Sequence, residues 1–173
     1  MGSSIFTYIQ QLEMLAFFSG YPLIYYLVRL LTRDVSLKNV RGTETVTILP
    51  FAYALVGTLY LGLQLKNLYP DYTPENVSHR IQQPYLVIWA LMSILFWIPS
   101  LPKRQILSVL HSFVFFFILV RDLFFQLMGI ISDQDIIRND MKIYTVSIFL
   151  NLAAFILILL SFLIADRKKP PGF

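Results

Sequence analysis

The sequence predicts an all-α integral membrane protein of about five transmembrane helices, with its amino terminus outside, its carboxyl terminus inside and no soluble domain. Three observations carry this. Hydrophobic residues make up 57% of the 173-residue chain and charged residues 14%, with a mean hydropathy of +0.65; soluble domains average about 45–50% apolar and about 25% charged. The apolar residues gather in segments close to the roughly 20 residues that a helix needs to cross a bilayer. The basic residues fall mostly on one side of those segments.

The first span is placed at 5–28. Its opening, "SSIFTYIQQLE", is polar for a lipid-facing helix, but Met14 to Val28 is only 15 residues before Arg29, so Glu13 belongs inside the span. A signal peptide would need a basic start, and the first basic residue is Arg29; Phe6 also stands where a myristoylation motif wants Ser or Thr. The second span is 46–65 and the third 84–101, which Trp89 and Trp97 bracket in the manner of interfacial anchors. Only Pro102, Lys103 and Arg104 separate it from the fourth, 105–131, so these two form a tight hairpin, and the fourth is longer than a bilayer requires. The fifth is 143–165. Between the second and third, "NLYPDYTPENVSHRIQQP" carries prolines at 70 and 84 and predicts a short ordered cap; its Asn76-Val77-Ser78 triplet matches a glycosylation sequon, a pattern frequent by chance.

With five crossings, one side holds nine basic residues (Arg29, Arg33, Lys38, Arg41, Lys103, Arg104, Arg167, Lys168, Lys169) and the other four (Lys66, Arg80, Arg138, Lys142). The positive-inside rule then orients the chain. The net charge of +4 is a topology signal, and scattered basic residues without a folded domain give no reason to expect a nucleic-acid partner. A multi-pass protein of a plasma or bacterial inner membrane is expected, rather than of an organelle.

Nothing in the sequence points to an enzyme. Cysteine is absent, which removes thiolate metal sites, cysteine nucleophiles and disulfides. His79 and His111 are the two histidines, and neither an H-E-x-x-H pair, a G-x-S-x-G elbow nor a glycine-rich phosphate loop occurs. No catalytic residue, metal or cofactor is expected. Arg104 and His111 share a helical face at a spacing of seven, but His111 lies about 10 Å deeper, too far for a catalytic pair.

The informative residues are polar groups inside the spans. Arg121 and Asp122 interrupt "FFFILVRDLFFQLMGII", where charge is costly without a partner, water or a task. Counting inward from the predicted span ends, Asp122 lies about 14 Å deep and Glu13 and Asn151 about 12 Å, level with Ser93 and with Gly57 and Thr58. Neighbours on a helix point about 100° apart, so Arg121 is expected to pair with Glu13, and Asp122 to meet Asn151 or Ser93. The cluster Glu13, Ser93, Arg121, Asp122 and Asn151 is thus a predicted intramembrane clasp. Glu13, Arg121 and Asp122 sum to −1 when all are ionised, so an alternative is a proton or cation site, with His111, Asp122 and Gln126 as a broken polar stripe along the fourth helix.

No internal repeat is visible, and five helices are few for a private substrate path. The expectation is a non-catalytic subunit or scaffold of a membrane assembly, bound to the lipid bilayer and to itself or other membrane proteins as a homo- or hetero-oligomer. The alternative is an oligomeric channel or a proton- or cation-translocating component using Asp122 and Arg121.

Overall fold

The computed structural model describes residues 2–34, 41–70, 72–101, 104–128 and 134–167, and among them it is all-helical. Its elements are α1 (Gly2–Phe18), α2 (Tyr21–Asp34), α3 (Arg41–Leu68), α4 (Pro74–Arg80), α5 (Pro84–Leu91), a 3₁₀ helix (Met92–Trp97), α6 (Gln105–Leu127) and α7 (Gln134–Arg167). Four stretches are long and apolar enough to cross a membrane: Thr7–Thr32 over α1 and α2, Val46–Leu68, Gln105–Phe125 and Met141–Ala165. These are compatible with a multi-pass membrane protein.

Two predicted spans differ in extent from the helices in the structure. The third, 84–101, is helical only over Pro84–Trp97, eight α-helical residues followed by six in the 3₁₀ form. Together they rise about 24 Å, short of the about 30 Å apolar core of a bilayer. The cause is local: Ile98 precedes Pro99, a position that disfavours the α region, and it adopts φ −71°, ψ 121°. The fourth, 105–131, is α-helical over Gln105–Leu127, and residues 129–131 lie outside the described residues.

The first span is broken at Ser19–Gly20. Pro22 has no N–H to give the Phe18 carbonyl, and the Ser19 hydroxyl bonds back to the Leu15 carbonyl at 2.6 Å. The break frees backbone groups that α7 satisfies. The Gly20 N–H donates to Ser147 Oγ at 2.8 Å, and Asn151 Nδ2 donates to the Phe17 carbonyl at 2.8 Å. Gly20 is required because the helices touch here: a Cβ would stand 2.7 Å from the Ile148 nitrogen.

α3 is the axis of the bundle and touches every other described element. Ala52, Ala54 and Gly57 let neighbours approach, and a Cβ on Gly57 would run into the Ser93 side chain. Aromatic rings fill the centre. Phe18 stacks on Phe115 at 4.9 Å and meets Tyr53 and Tyr60 edge-on at 5.8 and 5.4 Å. Tyr21 packs on Tyr53 at 4.3 Å. The expected cap between the second and third spans is α4, which starts at Pro74 after the N-cap Thr73.

Candidate functional site at one end of the bundle

The polar "QQLE" of α1, Gln10 to Glu13, is a hub with three spokes. Gln10, almost fully buried, accepts at Oε1 from the backbone N–H groups of Gln82 and Gln83, both at 3.1 Å. It thereby caps α5, whose N-cap Gln83 makes no side-chain capping bond. Gln11 Nε2 donates to Asp122 Oδ2 on α6 at 2.7 Å. Glu13 accepts from Gln64 Nε2 at 3.2 Å and Asn67 Nδ2 at 3.3 Å, one at each carboxylate oxygen. Gln64 and Asn67 are three apart and share a face of α3. One short segment of α1 therefore ties α3, α5 and α6.

The predicted pairing is corrected. Glu13 takes amide donors from α3 rather than Arg121, and Arg121 bonds its own neighbour, with Nε and a terminal guanidinium nitrogen reaching Asp122 Oδ1 at 3.0 and 2.8 Å. The neighbouring side chains can meet because the long, flexible arginine folds back along the helix surface to the short aspartate carboxylate.

Asn151 and Ser93 belong elsewhere. Asn151 serves the break in the first span and also donates to the Ser147 carbonyl at 2.8 Å, while the Ser93 hydroxyl bonds the Ala90 carbonyl at 2.6 Å and packs on Gly57. Of the predicted cluster, only Arg121 and Asp122 touch one another. Gln10, Gln11, Gln64, Asn67 and Ser147 were not singled out in the sequence. Three signals bear on them: the i, i+3 pair 64/67, the i, i+4 pair 147/151, and a Gly20–Pro22 break that demands partners for freed backbone groups.

His111 forms a second node. Its Nε2 lies 2.8 Å from the Trp89 carbonyl, which can only accept, so Nε2 carries the proton; Nδ1 then accepts from the Tyr53 hydroxyl at 2.7 Å. The indole Nε1–H of Trp89 returns a bond to the His111 carbonyl at 3.2 Å, and the two rings stack at 4.7 Å and 7°. Trp97 donates to Thr58 Oγ1 at 3.0 Å. Both tryptophans thus bond into the bundle rather than serving only as interfacial anchors. Between His111 and Asp122 the same face of α6 carries Phe115 and Leu119, each 1% exposed, which separates the two polar groups. The side chain of Gln126, the third member of the predicted stripe, lies outside the described residues.

Comparison with protein-family models, with curated proteins and with solved structures finds no match.

Proposed function

We propose that the chain is a non-catalytic subunit or scaffold of a membrane assembly, whose own helices are fixed by the α1 hub and which offers the outer face of α6 to a partner. One observation carries this reading. Arg121 is 49% exposed although its guanidinium is tied to Asp122, and it sits among Phe117, Val120, Phe124 and Phe125, all exposed. A charged pair on a lipid-facing helix surface is costly, and a neighbouring polar side chain from another protein would relieve that cost. Half of the most apolar window of the first and second long stretches is buried within the bundle, against 28% for Gln105–Phe125 and 22% for Met141–Ala165, so α6 and α7 have the most surface to give.

The same packing weighs against an ion path through this chain. Asp122, Glu13 and His111 are each engaged in contacts between helices, and buried aromatic and aliphatic side chains stand between the hub and His111. The orientation with the amino terminus outside belongs to this proposal, with Pro84–Trp97 completing its crossing through residues 98–101. The test is the native mass of the protein extracted in mild detergent, compared between the natural chain and Arg121→Gln.

A further inference from the structure

We propose that the groove between α5 with its 3₁₀ extension and α6 binds one acyl chain of an anionic phospholipid, with the lipid phosphate held by Arg104. The groove encloses about 290 Å³ and is lined almost wholly by apolar atoms, chiefly from Trp89, Met92, Leu95, Leu107 and Leu110, with His111 in its wall. An apolar cavity of about 150 Å³ already holds benzene, so this one has room for a length of hydrocarbon.

The stacked and reciprocally bonded Trp89 and His111 form a rigid brace between α5 and α6 that keeps the two elements from collapsing together. Both imidazole nitrogens are already engaged, so the brace presents ring faces and no unmet polar demand to an occupant. Met92, Leu95 and Leu110 are 43%, 45% and 58% exposed, which opens the groove sideways. Leu107 and Leu110 lie within the first two turns of the apolar stretch Gln105–Phe125, where the surroundings of a membrane-spanning helix are lipid.

Charge selects the headgroup. Arg104 immediately precedes α6, and its backbone bonds two groove-lining residues, its N–H donating to the Leu101 carbonyl and its carbonyl accepting from the Leu107 N–H, both at 2.9 Å, so the guanidinium starts from the end of the groove. Arg104 is exposed and has no ion-pair partner among the described residues. A phosphate without a neighbouring choline or amine cation meets it best, since the net charge of an anionic lipid is not offset within the headgroup.

Trp89 is a built-in reporter, because Trp97→Phe leaves it as the sole tryptophan. In mild detergent, phosphatidylglycerol with brominated acyl chains is expected to quench Trp89 saturably, with half-saturation at a several-fold lower mole fraction than phosphatidylcholine carrying the same chains. Arg104→Gln, a change at an exposed site, should erase that difference. Equal quenching by the two lipids, a preference that survives Arg104→Gln, or no quenching by either, as when a protein partner fills the groove, would overturn the proposal. Native mass spectrometry of the chain with both tryptophans gives a second reading independent of Trp97→Phe: phosphatidylglycerol retained by the natural chain and lost from Arg104→Gln supports the site, and equal retention refutes it.

Discussion

The backbone N–H of Gly20 donates to the hydroxyl of Ser147 at 2.8 Å, joining the break in the first span to α7. A polar contact between backbone and side chain replaces the helical hydrogen bond that the break removes, and it works only because glycine lets α7 come this close. A Cβ on Gly20 would stand 2.7 Å from backbone atoms of Ser147 and Ile148, which cannot swing aside.

Gly20→Ala is therefore expected to destabilise the protein by about 1–3 kcal/mol, the usual range for overpacking. Gly62 is the control, since nothing lies within 4 Å of a Cβ built there, and Gly62→Ala in the interior of α3 should be neutral or stabilise by up to about 1 kcal/mol. Thermal unfolding in detergent measures both. Equal effects of the two substitutions would remove the close approach from the account.

Glu13 should couple to α3 and not to Arg121. In double-mutant cycles read by unfolding, Glu13→Gln with Gln64→Leu is expected to depart from additivity by about 0.6 kcal/mol or more, as interhelical polar contacts in membranes do. Glu13→Gln with Arg121→Gln should add to within about 0.5 kcal/mol, because the two side chains have separate partners. The reverse pattern would restore the Glu13–Arg121 pair expected from charge alone.

His111 is expected to be the Nε2–H tautomer, because its Nε2 faces a carbonyl oxygen. Nitrogen NMR of histidine-labelled protein reads this directly. A proton on Nδ1 would mean that the Trp89 carbonyl is not its partner, and the brace between α5 and α6 would lose one of its two bonds.

Segment-level architecture was largely legible in the sequence, since composition and run length are local properties. Four of the five apolar segments coincide with stretches able to cross a membrane. The shortfall at the third came from counting hydrophobicity through Ile98, Pro99 and Leu101, where the residue before a proline leaves the helix. The residues that meet within the polar layer were not legible. Charge complementarity favoured Glu13 with Arg121, yet which residues meet depends on helix rotation and tilt, and neutral amides at 64 and 67 carry no charge signal by which to find them.

Cysteines introduced singly at positions 2 and 172 of the naturally cysteine-free chain should be labelled from opposite faces of the membrane, the first from outside. This follows from the nine-to-four bias of basic residues with five crossings. Labelling of both from one face would give an even number of crossings and make Pro84–Trp97 a segment that enters and leaves on the same side.

If Arg121 faces a partner, as proposed, the native mass of the protein in mild detergent reports it. The natural chain should migrate as a persistent assembly heavier than its own 20.1 kDa plus bound detergent, and Arg121→Gln should release a folded monomer whose unfolding temperature is little changed, because the α1 hub remains tied to α3 and α5. A natural chain that is already a lone, stable monomer in mild detergent, or an assembly indifferent to Arg121→Gln, would contradict it.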